Sequence, residues 1–274
     1  MAERSAAQLS EHYQVEKELA LRLRNAPQAE RATLYRSVYD ELFQRVPHHP
    51  QLSRKFEPEV VERLVNEKLV LLRRFLNRDT VFMELGPGDC RLALKIAESV
   101  RTVYAVDVSA EITKDVVSPA NFSLKLSRGT DIPVPRETVT VAYSYQLMEH
   151  IHPEDAREQL RNVYEALAPG GIYVCITPNR LAGPHDISRY FDREATGFHL
   201  KEYTVGELGD LFRTVGFRKV TLSAGGAGHF AEWPLLPVTA LESVVDLLPW
   251  RMRRVVANAP LIRNVLLGAV IGRK

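Results

Sequence analysis

Cysteine is nearly missing from this chain: two in 274 residues, Cys90 and Cys175. Each falls inside a stretch patterned as regular structure, and their spacing is not that of a metal knuckle. Both are expected to be reduced, with no disulfide framework. An excess of one charge is missing too. The 36 basic and 34 acidic side chains leave a formal +2 at pH 7, too balanced for a general nucleic-acid binder. No apolar run reaches the roughly 18 residues of a membrane span. The opening MAERSAAQLSEHYQVEKE lacks the apolar stretch of a secretory signal, so a cytoplasmic protein is expected. Internal repeats and low-complexity tracts are also lacking. Apolar residues, in contrast, make up 45% of the chain, enough for one sizeable core with or without a smaller helical attachment.

Residues 7–78 pattern as three helices without a strand. Leu34, Val38 and Leu42 keep helical spacing, as do Val61, Val65, Leu69, Leu72 and Leu76. The breaks fall at Pro27, at Pro47 and Pro50, and before Pro58. The period then changes. VFMEL (81–85), TVYAVDV (102–108), the alternating FSLKLS (122–127), VTVAYS (139–144), IYVCIT (172–177) and FRKVTLS (217–223) read as strands. Helical patterns lie between them at 92–100, 110–117, 153–167 and 204–215, the last opening with a Thr204/Glu207 capping box. Alternating strands and helices predict an α/β, doubly wound, mostly parallel sheet covered on both faces. WPLLP (233–237) reads as a linker, residues 238–248 and 251–259 as short helices, and the apolar run at 265–272 as a last strand.

The first strand runs into MELGPGDCR (83–91), a turn without side chains at Gly86 and Gly88. In such sheets ligands bind beyond the carboxyl ends of the strands. Two glycines let the backbone bend sharply and let a ligand approach the main chain. Asp107 ends the second strand, where a carboxylate can accept from both hydroxyls of a ribose. That much fits any adenosine-containing cofactor. A pyrophosphate-binding turn would place a third glycine where Arg91 stands, and Glu84 would repel a pyrophosphate. A cofactor carrying an amino group and a sulfonium would be attracted by the same charge.

ELGPGDC (84–90), VYAVDVS (103–109), AYSYQLMEHIHPED (142–155) and LAPGGIYVCITPNR (167–180), in that order and spacing, resemble the successive motifs of class I S-adenosylmethionine-dependent methyltransferases of the type 11-like kind. The resemblance covers roughly residues 65–223. It implies a seven-stranded sheet whose last strand runs antiparallel, with S-adenosyl-L-methionine as cofactor. It places Glu84, Gly86 and Gly88 along the methionine part, Asp107 on the ribose and Val108 against the adenine. Ser144 and Tyr145 would run past the cofactor. The family often carries an acid just before the glycine after the third strand, where this chain reads Arg128-Gly129. Arginine cannot accept from the adenine amino group, so either Asp131 or a backbone carbonyl must do so.

On the acceptor side, the 27 residues TPNRLAGPHDISRYFDREATGFHLKEY (177–203) have no clear period, and loops of that length are usually functional. His185 and His199 are the candidate catalytic bases, because imidazole titrates near working pH. Asp186 is a candidate to orient one of them and Tyr190 to bond an acceptor. Bracing this loop on the sheet is the alternative role for all four. Glu149 and His150 open the connection after the fourth strand, with His150 read as a packed histidine and His152 as an exposed loop residue. Tyr35 and Tyr39 are packing residues or a lid over the site. No metal is expected.

The chain therefore divides into a helical extension or lid (1–64) and a methyltransferase domain (65–274) with a helical insertion near 233–260. The expected function is methyl transfer to a small molecule such as a sugar, lipid or secondary metabolite, by O-methylation. A nicotinamide-dependent oxidoreductase and a methyltransferase-like binding protein without chemistry are the alternatives. Nucleic acid is not expected as substrate, since SYQLMEH lacks the proline-aromatic signature that commonly holds a flipped base. Trp233, Trp250 and Arg251, Arg253 and Arg254 make the C-terminal region a candidate for transient membrane contact, or for a homodimer face.

Overall fold

The computed structural model describes residues 4–50, 58–109, 118–226 and 229–274. The helix expected over 110–117 lies outside the described residues. Strand β1, Val81–Leu85, is buried at every position. Its unbroken apolar run, with Glu84 as the one exception, therefore belongs at the centre of a sheet covered on both faces. Strands β2 (Thr102–Asp107), β3 (Phe122–Leu126), β4 (Val139–Tyr145) and β5 (Leu167–Ile176) join it in parallel. The other three are β6 (Lys219–Gly226), β7 (His229–Pro234) and β8 (Ala269–Arg273). The order across the sheet is β3-β2-β1-β4-β5-β8-β6-β7. Strand β8 runs antiparallel to both β5 and β6. The expected reversed last strand is thus present, wedged between them.

Two differences from the sequence reading concern the tail. Among the described residues the sheet has eight strands rather than seven, because β7 forms a hairpin with β6. WPLLP is not a linker: Trp233 and Pro234 end β7, and Leu235 opens the next helix. An edge strand needs few apolar residues and tolerates proline. Glu232 is fixed there by Arg273 at 2.7 Å and by the Thr221 hydroxyl at 2.9 Å. The last strand begins at Ala269, not at 265. Val265 and Leu266 belong to a helix, and the Gly268 N–H closes a turn on the Val265 carbonyl. An eight-residue apolar run does not reveal by itself where helix gives way to strand.

The helices are α1 (Ala6–Asn25), α2 (Gln28–Arg45), α3 (Pro58–Leu72), α4 (Arg91–Ala97), α5 (Pro153–Ala166), α6 (Val205–Val215), α7 (Leu235–Asp246), α8 (Trp250–Ala257) and α9 (Pro260–Leu266). Helix α5 is capped by the ring of His152, which accepts from the Glu154 N–H, so His152 is a cap and not a free loop residue. Helix α6 carries the full Thr204/Glu207 capping box.

Leu19 and Leu23 of α1 and Val38 and Leu42 of α2 share one buried cluster with Met83, Leu85 and Tyr173 of the sheet. Leu69 and Leu72 of α3 pack on the other face with Phe82 and Tyr143. The first two helices thus share a core with the sheet, and the boundary drawn at residue 64 falls inside α3. Arg31 locks α2 to α5. Its Nε and Nη2 donate to the two oxygens of Asp155, each at 2.7 Å, and Tyr35 donates to Asp155 at 2.7 Å as well.

Candidate active site

The carboxyl end of β1 turns at Gly86 and Gly88, with φ of +61° and +55°. L side chains rarely adopt such angles. A Cβ at Gly88 would meet nothing within 4 Å, whereas one at Gly86 would lie 3.1 Å from Leu147 Cδ1. Just before the turn Glu84 is buried, and its Oε2 has no hydrogen-bond partner among the described residues. Burial pushes its pKa up to about 8, against the pull of Lys68 and the Ala93 N–H. Across the sheet, in register with Glu84, the Tyr143 hydroxyl is buried and equally unpartnered. Lys68 lies over the ring of Tyr145, 4.2 Å from its centroid. At the end of β2, burial raises the pKa of Asp107, while the N–H groups of Ser109 and Val108 oppose the rise. The Ser127 N–H donates to the Asp107 carbonyl at 2.8 Å, which brings the 127–131 turn alongside.

A second polar group forms where the chain leaves β4. From Leu147, against Gly86, it passes through Met148 to Glu149, which is wholly buried. Thr177, just past β5, donates to Glu149 Oε2 at 2.9 Å, while Oε1 has no hydrogen-bond partner among the described residues. Burial pushes Glu149 up to about 7, although the nearby His199 opposes this. His150 Nδ1 lies 3.1 Å from the Phe198 carbonyl and 3.2 Å from the Tyr39 hydroxyl. A carbonyl only accepts, so Nδ1 carries the proton. Burial lowers the His150 pKa to about 3, helped by the charge of His199, and leaves Nε2 as a bare lone pair. His199 Nδ1 lies 2.7 Å from Glu202 Oε1. Burial disfavours its charge, but the Glu202 hydrogen bond and the charges of Glu149, Glu202 and Asp186 prevail and raise its pKa. The rings of His150 and His199 meet edge to face at 4.9 Å.

The amino-terminal helices roof this group. Phe198 donates its N–H to Glu16 Oε1 at 2.9 Å, and Arg24 reaches the carbonyls of Ala195, Thr196, Gly197 and His199. Tyr13 donates to Asp192 at 2.5 Å.

A family model described as a methyltransferase domain matches residues 54–222. The chain belongs to that family. A probable S-adenosylmethionine-dependent methyltransferase of Mycolicibacterium smegmatis is 29% identical over 193 residues, covering 69% of each chain. Among solved structures, a SAM-dependent methyltransferase from Archaeoglobus fulgidus aligns with TM-score 0.52 and 18% identity, over 77% of this chain and 94% of the other. A Haloferax volcanii chain solved in complex with the Trm112 methyltransferase activator aligns with TM-score 0.53 and 16% identity, over 77% and 90%. These two likenesses concern the fold. The protein is thus an S-adenosylmethionine-dependent methyltransferase, and the nicotinamide-dependent and non-catalytic alternatives are set aside.

In this methyltransferase the orphaned Glu84 carboxylate and the uncovered glycine turn fit a cofactor that carries an ammonium group and needs close backbone approach. Among the other expected residues, the Ser144 hydroxyl is occupied inside the sheet by Tyr173 at 2.7 Å. Asp131 is engaged by the Arg128 N–H and the Ser127 hydroxyl. The acceptor-side expectations divide. His199 faces Glu149, whereas His185 points elsewhere, its Nε2 3.1 Å from the Asn179 carbonyl. Asp186 orients no histidine ring: it accepts the N–H groups of Ser188, Gly197 and His199. Tyr190 is exposed beside Arg189. Tyr35 is spent on Asp155, while Tyr39 reaches the site. Sequence reasoning missed Glu202, Thr177, Lys68 and the functional weight of Glu149. An acid three residues after His199 was the available signal for Glu202.

Proposed function

We propose that this methyltransferase methylates a hydroxyl on a small molecule, with the acceptor oxygen at the Glu149–His199 group. The observation that carries this reading is Glu149. It is a wholly buried carboxylate with one free oxygen, beside a histidine held by Glu202, at the sheet edge that also carries the glycine turn.

When bound, S-adenosyl-L-methionine supplies a methyl group on a sulfonium that leaves as a neutral thioether. Glu84 would hold its ammonium, and Gly86 and Gly88 would give it room. Asp107 would take the ribose hydroxyls, Val108 would lie on the adenine, and Asp131 or a neighbouring carbonyl would meet the adenine amino group. Tyr145 would flank it, and Ser144 would contribute backbone only, since its hydroxyl is occupied. On methyl transfer the acceptor proton would pass to His199 Nε2. Glu202 fixes the ring, and the Glu149 charge stabilises the imidazolium that results. Exclusion of water under α1 and α2 aligns the acceptor.

Replacing His199 with alanine is expected to lower kcat by roughly 10²–10⁴-fold with cofactor affinity kept. His185→Ala, which lies outside the group, is expected to alter turnover far less. Equal turnover in His199→Ala and wild type would remove the base assignment. The acceptor is to be found by screening phenols, sugars and lipid-linked alcohols for methylated product.

The C-terminal helices support a membrane-borne acceptor. Leu236, Val244 and Leu247 lie on the outer side of α7 and its end, with Met252, Val255 and Leu261 exposed nearby. Arg251 and Arg263 are exposed among them, while Glu242 is buried and Asp246 is paired with Arg180 and Arg253. An apolar face with only positive charge left free suits an anionic bilayer. Flotation with phosphatidylglycerol vesicles that is no better than with neutral ones would discard this part. Among the described residues no helix is long and apolar enough to cross a membrane.

A further inference from the structure

We infer that Glu149, His150 and His199 form a binding site for one divalent transition-metal ion of the zinc type. One ligand atom from each lies within 4.8 Å of the others, and Glu149 Oε1 is 4.0 Å from His150 Nε2. Metal–ligand bonds of about 2.0–2.2 Å place neighbouring ligands roughly 3–3.5 Å apart, so closure by about 1 Å completes the set.

Three features mark it as more than a chance cluster. First, Glu149 is wholly buried, and its Oε1 has no partner among the described residues. A lone carboxylate oxygen in such a place is costly, and a cation removes the cost. Second, both histidines have their Nδ1 engaged. His150 gives its Nδ1–H to the Phe198 carbonyl and His199 gives its own to Glu202, so in its neutral form each carries the remaining lone pair on Nε2, and that of His150 lies 4.0 Å from Glu149 Oε1. A carbonyl and a carboxylate behind ligating imidazoles are the outer partners that fix tautomer and raise basicity. Third, the donor set, two imidazoles and one carboxylate, leaves positions open on one side, as a metal that handles substrate requires.

A second trio, His12, Glu16 and His49, shows by contrast what an occupied cluster looks like. There, Glu16 receives the His12 ring on Oε2 and the Phe198 N–H on Oε1, and the Arg4 guanidinium lies 2.8 Å from His12 Nδ1. Both Glu16 oxygens and both His12 nitrogens are taken, with a cation already beside them.

No metal-ligand spacing is visible along the chain because two ligands adjoin each other in a short turn and the third comes from a loop some 50 residues later. With the ion in place, an acceptor hydroxyl would bind it at an open position and be acidified there. The proton would pass to water, and His199 would hold the ion instead of taking the proton. This consequence rests on the acceptor reading above; the binding itself does not.

The test uses untagged full-length protein, stripped with a chelator, without methyl donor or acceptor. Calorimetric titration with Zn²⁺ is expected to show one site of micromolar or tighter affinity. Co²⁺ is expected to give visible d–d bands of a low-coordinate nitrogen–oxygen site. Both signals should be lost in Glu149→Gln and His150→Gln and kept in His185→Gln. Circular dichroism identifies any variant that fails to fold, and His150→Phe then serves in its place. No uptake by the wild type, or uptake unchanged in both Glu149→Gln and His150→Gln, overturns the inference. So does loss of the ion in His12→Gln with retention in His150→Gln, which would assign it to the other trio. If zinc is not taken up while His199→Ala still abolishes turnover, the base reading stands without the metal.

Discussion

Glu84 on β1 and Tyr143 on β4 lie opposite each other in the sheet register, and each buries an oxygen that meets no hydrogen-bond partner among the described residues. Two such atoms at one strand end make the free protein pay a desolvation cost that a ligand can remove. A ligand that brings hydrogen-bond donors to these two oxygens would remove that cost.

The Glu84 carboxyl gives the first prediction. Its pKa rises from 4.5 to about 8 on folding, through burial. The folded protein then holds a proton that the unfolded chain releases near pH 4.5. Its contribution to stability is greatest below pH 4.5 and declines as pH rises to about 8. Urea unfolding without cofactor should show wild type losing stability relative to Glu84→Gln between pH 5 and 8, by a few kcal/mol in order of magnitude. A constant difference across that range would contradict a buried, unpaired acid.

Asp107 is expected to contribute to cofactor affinity through charge-assisted hydrogen bonds, each about 1.5–3 kcal/mol. With two such bonds lost, calorimetry on Asp107→Ala should show binding weakened by roughly 10²–10⁴-fold. An unchanged affinity would remove the ribose assignment.

The two glycines of the turn should respond differently. Gly88→Ala meets open space and is expected to cost only the left-handed backbone strain, about 1–2 kcal/mol, while its methyl group obstructs the cofactor. Gly86→Val faces Leu147 as well as strain, so it should lower the melting temperature further. Gly88→Ala that binds cofactor normally would show that the backbone is not closely approached there.

Arg31 tests how firmly the first two helices are held. Arg31→Leu leaves Asp155 buried without its cation, which typically costs about 3–5 kcal/mol. The urea midpoint should fall accordingly. A shift within error would mean that apolar packing alone secures α2.

The sheet was legible because its strands are short apolar runs separated by turn residues, and the four motifs gave their order. Glu84, the two glycines and Asp107 stood out because a glycine-proline-glycine turn and an acid each follow a short apolar run. Strand β7 was hidden because an edge strand needs no apolar signature, and Pro234 disguised its end. The acceptor group was half visible. His199 stood out by chemistry. The pairing with Glu202 and the convergence on Glu149 depend on how a 27-residue loop folds back over β4 and β5, which no local period encodes. His185 and Asp186 look equally reactive in the sequence, yet the loop spends them on main-chain groups.

The roof formed by α1 and α2 has one more consequence. It is fastened to the 192–199 loop largely by side-chain-to-main-chain bonds from Arg24 and Glu16, whereas Gly86, Gly88 and Asp107 belong to later elements and Tyr35 of α2 packs against Gly129 in the turn beside them. The early helices therefore bear on the Glu149–His199 group more than on the glycine turn. Exchanging them between relatives offers a route to new customers for an unchanged chemical engine.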